Sequence, residues 1–131
     1  MKSTFKKVRP YQKDERNLPV ADVEAAIPFY ETVMGFQVIF RSEVPVKSVL
    51  LERDNIQIGL AENGGDPTQD GCFFEVDNAE TAFAELKANG LEQEKPDFTF
   101  QRVKRPYKMF FVLAPDGLCY CLAELLKTTS M

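Results

Sequence analysis

Apolar residues recur at helical spacing twice along the chain: Val23, Ala26, Ile27, Tyr30 and Met34, then Ala79, Ala82, Phe83 and Leu86. Each stripe follows an aspartate suited to the N-cap, Asp22 or Asp77, and runs out at a glycine, Gly35 or Gly90, which can adopt the left-handed stop. The spacing predicts helices over Asp22 to Gly35 and Asp77 to Asn89, the second opened by a capping box of Asp77 and Glu80. Pro28 deletes one internal hydrogen bond of the first helix and should bend it. Aspartate and glycine stand 13 apart in both segments (35 − 22 and 90 − 77). The stripes superpose at an offset of 56 (79 − 23) and the aspartates at 55 (77 − 22), so the chain reads as an approximate duplication.

Between these helices the pattern alternates with the period of strands. Glu15 to Val20 reads as one, with Leu18 and Val20 in one phase and Pro19 marking an edge or end. Three more runs follow the first helix: Phe36 to Arg41, Val46 to Glu52 and Ile56 to Ala61, the last two joined by the turn residues Arg53, Asp54 and Asn55. Asn63 to Gly71 packs three glycines and a proline into a linker, after which the order restarts with a strand over Cys72 to Val76. Beyond the second helix come a weak strand over Leu91 to Phe100, a loop over Gln101 to Pro106, a strand over Lys108 to Ala114, a turn at Pro115 to Gly117 and a last strand from Leu118 to about Leu125. The sum is one α+β domain over 1–131 made of two βαβββ modules, about 13–62 and about 72–126, joined by the linker 63–71. Such modules would form a curled, mostly antiparallel eight-stranded cavity with the helices outside.

Composition narrows the function classes. With 44% hydrophobic and 27% charged residues in 131, the chain is ordinary globular material with enough length for its own core. A net charge of −4 argues against nucleic acid as a partner. Two basic stretches stand out, Lys2 to Lys13 and Arg102 to Lys108, and read as a mobile arm and a solvated loop rather than phosphate sites. No apolar run approaches the roughly 20 residues that cross a bilayer, and the start MKSTFKKVRP lacks the apolar centre of a signal peptide; a cytoplasmic protein without membrane partners is expected. Cys72, Cys119 and Cys121 are expected to be reduced, since three cannot all pair and the last two share one strand.

The segments LPVADVEAAIPFYETVMGF (Leu18 to Phe36), FEVDNAETAFAELKANG (Phe74 to Gly90) and APDGLCYCLAEL (Ala114 to Leu125) resemble the vicinal oxygen chelate superfamily, the glyoxalase, bleomycin-resistance and extradiol dioxygenase group, over about residues 15–126. That fold hosts both enzymes and drug-binding proteins, so the resemblance speaks to architecture before chemistry. It implies metal-ligand positions at Glu15, Gly59, Gly71 and Cys121, with Gln57 beside Gly59 in the same phase. Two glycines offer no side-chain donor and the chain contains no histidine, so no metal and no cofactor are expected. The residues left in the cavity-facing phase are Glu15, Asn17, Gln57, Gly59, Phe73, Glu75, Cys119 and Cys121, and glycines in place of bulky ligands would enlarge the concavity. Tyr107 stands where family members often carry an aromatic at the cavity mouth, and Phe111 adds a further candidate stacking ring. The cysteines read as small pocket walls, Glu15 equally as a solvated acid, and Tyr107 equally as a surface residue.

The reading that follows is a metal-free protein of the bleomycin-resistance type that sequesters an aromatic or cationic small organic molecule. One alternative is a lyase- or isomerase-like enzyme with Glu75 or Glu15 as carboxylate base; another is a dimerisation module without a ligand. The resemblance also implies a homodimer, with modules of two chains completing each other's concave sheets.

Overall fold

The computed structural model of the chain describes residues 2–10, 15–69, 71–93, 98–101 and 106–126. Its first element corrects an expectation: Phe5–Pro10 is a strand, β1, where the sequence pattern predicts a mobile basic arm. FKKVRP has no clean alternation, and the strand exists because Phe5 is fully buried and the backbone pairs with a distant partner. Lys13, Arg102, Lys104 and Arg105, also of the basic stretches, lie outside the described residues.

The first module runs β2 (Leu18–Pro19), α1 (Val23–Pro28), a π turn (Phe29–Val33), β3 (Gln37–Ser42), β4 (Ser48–Arg53) and β5 (Ile56–Ala61). Asp22 caps α1 as expected, accepting from the Ala25 N–H at 3.2 Å. Pro28 cannot supply the next α-type donor, and the chain widens, with the Met34 N–H reaching the Phe29 carbonyl. The strand predicted over Glu15 to Val20 shortens to β2, and Arg53, expected in the turn, ends β4 as a buried residue.

The second module runs β6 (Gly71–Val76), α2 (Ala79–Ala88), β7 (Thr99–Gln101), β8 (Tyr107–Leu113) and β9 (Cys119–Leu125). The α2 cap is Asn78, which accepts from the Thr81 N–H at 2.8 Å, and not Asp77. Asp77 instead accepts from the Thr4 N–H at 2.9 Å and so anchors the approach to β1. The loop expected over Gln101 to Pro106 falls largely outside the described residues, as does the middle of the strand predicted over Leu91 to Phe100.

The strands form two sheets, in the orders β2-β5-β4-β3 and β1-β6-β9-β8-β7. Apart from β1, each module contributes four strands in the same order, first, fourth, third, second, with the first and fourth parallel. The duplication read from the helices is thus a duplication of sheet topology. Both sheets bury one face, with α1 and α2, in a common core that joins the modules. At its centre Phe5 lies 5.3 Å from Phe74 and 5.9 Å from Phe36, and Phe74 stacks on Tyr120 at 5.4 Å. Fully burying a phenylalanine contributes roughly 2 to 3 kcal/mol, so Phe5 is a substantial reason for β1 to stay in place.

Two polar links cross between modules inside this core. The buried Arg53 guanidinium donates to the Glu85 carboxylate and the Ser3 carbonyl at 2.8 Å and to the Met34 carbonyl at 2.7 Å. Burial pushes the Glu85 carboxyl up, but hydrogen bonds from Arg53 and Ser3 outweigh it and hold the group below its usual value. The Tyr30 hydroxyl donates to Asp116 at 2.8 Å and shares a 2.6 Å contact with the Tyr120 hydroxyl, joining the π turn to the β8–β9 turn. Burial raises the Asp116 carboxyl, partly offset by hydrogen bonds from the Leu118 N–H and the Tyr30 hydroxyl.

Candidate functional site

Strand alternation sends Phe74, Phe110 and Tyr120 into the main core and leaves their neighbours on the opposite face of the five-stranded sheet. There Tyr107, Met109, Cys121 and Ala123 pack as a separate small cluster with Phe73 against it. Glu75, Cys119 and Phe111 belong to the same face by alternation and register, Glu75 beside Ala123 and Phe111 beside Cys121. All six candidates of the second module therefore share one surface.

The Phe73 and Tyr107 rings meet edge to face at 5.3 Å and 79°, above the small Ala123. Tyr107 is the first residue of β8 and only 4% exposed, which corrects its alternative reading as a surface residue. Its hydroxyl is buried and has no hydrogen-bond partner among the described residues. Glu75 is 6% exposed, and no hydrogen bond or ion pair joins its carboxylate to any described residue. Buried polar groups are ordinarily paired, so the Tyr107 hydroxyl marks this face as unfinished. The Cys121 thiol donates to the Met109 thioether at 3.6 Å, and burial raises the Cys119 thiol, which disfavours its thiolate.

Sequence reasoning missed two cations here. β1 pairs antiparallel with β6 in a register that sets Lys7 opposite Glu75 and Arg9 opposite Phe73. The Arg9 guanidinium lies 4.6 Å from the centre of the Phe73 ring, so one face of that ring already holds a cation. Met109 was visible in the alternation of Tyr107, Met109 and Phe111; Lys7 and Arg9 were not, because nothing local marks β1 as a strand.

The four candidates of the first module lie on the other sheet or in the turn before it. Gly59 is not open pocket space: a Cβ there would collide with the Arg16 backbone carbonyl, and its N–H donates to the Glu15 carbonyl at 2.8 Å. Glycine is required because the turn over Glu15 to Asn17 crosses β5 at contact distance, which corrects the enlarged concavity inferred from it. The Asn17 carbonyl accepts from Asn63 at 3.0 Å, and Gln57 donates to Glu52 at 3.4 Å.

The family's metal positions fare no better as a donor set. Glu15 and Gly59 belong to the first module, Gly71 and Cys121 to the second, and the Cys121 thiol is turned to Met109. Among the described residues no group of three or more histidine, cysteine, aspartate or glutamate side chains is placed to hold a metal ion. Of the four positions, Gly59 and Gly71 offer no side-chain donor to a divalent metal.

Solved structures share this architecture. A bleomycin resistance determinant encoded on the transposon Tn5 superposes with a TM-score of 0.66 at 21% identity, over 88% of this chain and 99% of that one. A bleomycin-binding protein complexed with bleomycin gives 0.63 at 20%, over 88% and 99%. A glyoxalase/bleomycin resistance protein/dioxygenase from Alicyclobacillus acidocaldarius gives 0.63 at 13%, over 88% and 93%. At these identities the likeness is one of fold. No curated protein sequence matches the chain significantly. The family model covers most of the chain, residues 14–118, and with the repeated strand order it establishes that the chain belongs to the glyoxalase/bleomycin resistance protein/dioxygenase superfamily.

Proposed function

We propose that the face of the five-stranded sheet carrying Phe73, Glu75 and Tyr107 binds an aromatic or cationic small organic molecule and sequesters it without a metal and without bond making. The observation that carries this reading is the Glu75 carboxylate, unbonded among the described residues, on a face of aromatic and sulfur side chains edged by Lys7 and Arg9 of β1. An acceptor-only carboxylate selects a donor or a cation, and the surrounding rings supply apolar contact. That a solved neighbour is a bleomycin-binding protein holding its ligand supports binding as the role of this fold here. The site is completed by a second copy of the chain, since Phe111 on this face is 47% exposed and Leu113 is 68% exposed.

A thermal-shift screen of small organic cations and neutral aromatics, on wild type, Phe73→Ala and Glu75→Gln, tests the reading, with calorimetry for each hit. Glu75→Gln should weaken cations selectively and leave the fold intact, while Phe73→Ala should weaken every hit and lower stability. Hits that bind both variants as tightly as wild type would put the site elsewhere. A hit converted to product, with turnover abolished by Glu75→Gln while binding survives, would replace sequestration by catalysis with Glu75 as base.

A further inference from the structure

We infer that the Glu75 carboxylate and the Tyr107 hydroxyl form one hydrogen-bonding subsite, which selects organic cations carrying N–H groups, primary amines and amidines, over quaternary ammonium compounds. The inference rests on the binding reading above and narrows its ligand class.

Among the described residues the buried Tyr107 hydroxyl has no partner, and the Glu75 carboxylate, still reached by solvent in a residue 6% exposed, bonds to none. Each group is on the face under discussion, and each flanks Phe73, Glu75 two residues along β6 and Tyr107 through its ring contact at 5.3 Å. The carboxylate can only accept, and the phenol can accept or donate. A ligand that finishes both must therefore bring donors to Glu75 and a polar hydrogen or lone pair to Tyr107.

The alternative way for such a face to hold a cation is an aromatic cage, which takes quaternary ammonium groups and needs no N–H. The geometry disfavours it. Phe73 presents one ring face to Arg9 at 4.6 Å and meets Tyr107 edge to face, so neither arrangement leaves a box of free ring faces. Lys7, in register with Glu75 on β1, is exposed and forms no ion pair with it, so a ligand cation competes for the carboxylate only with a neighbouring lysine that is not bonded to it among the described residues.

Benzylammonium, N,N,N-trimethylbenzylammonium and benzoate share a ring and differ in charge and donors, which makes them suitable probes. Each would be titrated into the full chain while following the methyl resonances of Met109 and Ala123 by NMR. In wild type, benzylammonium should bind at least tenfold more tightly than its trimethyl analogue, with benzoate weakest. Glu75→Gln should bring the two cations to within about twofold of each other. Tyr107→Phe should weaken benzylammonium several-fold and leave the trimethyl compound unchanged. Because the hydroxyl has no partner to lose, Tyr107→Phe without ligand should melt at or above the wild-type temperature. If Glu75→Gln does not fold, Tyr107→Phe decides the matter alone.

Equal binding of the two cations to wild type overturns the subsite while leaving the binding face in place. So does a lowered melting temperature of ligand-free Tyr107→Phe, which would show the hydroxyl already bonded. Shifts of Met109 and Ala123 absent with all three probes overturn the location of the site as well.

Discussion

Arg53 and Glu85 are the two residues on which the joint between modules turns, because both are buried and their bond at 2.8 Å spans β4 and α2. Arg53 also lies 4.2 Å over the Phe5 ring, and Ser3 donates to Glu85 through its N–H at 2.9 Å, so one ion pair holds three segments. Removing the carboxylate leaves a buried guanidinium with two carbonyls and the part-exposed Asp54 carboxylate, and breaking a buried pair typically costs about 3 to 5 kcal/mol. Glu85→Gln should lose about 3 kcal/mol at pH 7, the low end, because Met34, Ser3 and Asp54 still accept from Arg53. The pH dependence has a definite sign. A carboxyl held below its usual value binds fewer protons folded than unfolded, so its stabilisation is complete above the ordinary glutamate value of 4.5 and disappears as the pH falls through the lowered folded value. Asp116, raised by burial, works the other way and loses stability as the pH rises, but it is common to both proteins and cancels in their difference. Urea unfolding of wild type and Glu85→Gln between pH 7 and pH 3 should therefore show a gap of about 3 kcal/mol at neutral pH that narrows below 4.5. A gap independent of pH would mean that the variant acts through packing and not through charge.

The two helices show how one residue of difference is absorbed by an element. From cap to terminal glycine the first segment spans 13 residues (35 − 22) and the second 12 (90 − 78), now that Asn78 is the cap. The caps then stand 56 apart (78 − 22), the same offset as the apolar stripes, and the surplus residue of the first segment sits in the π turn after Pro28. A wide i to i+5 turn holds one residue more than an α turn, so the buried face stays in register despite the insertion. Asn78→Ala should cost about 1 kcal/mol and speed hydrogen exchange at Thr81, its bonded amide. Asp77→Ala should leave Thr81 protected and expose Thr4 instead. The reverse assignment of the two amides would restore Asp77 as the cap. From sequence, Asp77 with Glu80 was the better local signal, and it lost because the Asp77 carboxylate is engaged by the Thr4 N–H. The same limit governs the rest of the comparison. Helices, module order and the face shared by Phe73, Glu75 and Cys121 follow from periods of 3.6 and 2, which are local. β1, the turn crossing Gly59 and the cations beside Glu75 depend on pairing across more than 40 residues, which no local pattern encodes.

At the scale of the whole molecule, both sheets bury one face in the common core and expose apolar side chains on the other. Phe40, level with Leu50 on β4, is 62% exposed, and Leu113 on β8 is 68% exposed. These exposed apolar side chains are what the proposed second copy of the chain would cover. A second copy would suit these faces, because each chain carries two sheets of the same strand order, so that under the proposed two-fold module one of one protomer would complete module two of its partner. Such an arrangement uses every exposed position twice, which multiplies the effect of a single substitution. Placing a charge at Leu113 should cost roughly 2 kcal/mol per site, about 4 per dimer, or about a thousandfold in the dissociation constant. Leu113→Asp should therefore sediment as a monomer at tens of micromolar, where wild type sediments as a dimer, with an unchanged circular dichroism spectrum because the side chain lies outside the core. Its melting temperature should also lose the concentration dependence that mass action gives an associating protein. Wild type that stays monomeric at several hundred micromolar would remove the partner from the model, and the face around Glu75 would then have to bind its ligand within a single chain.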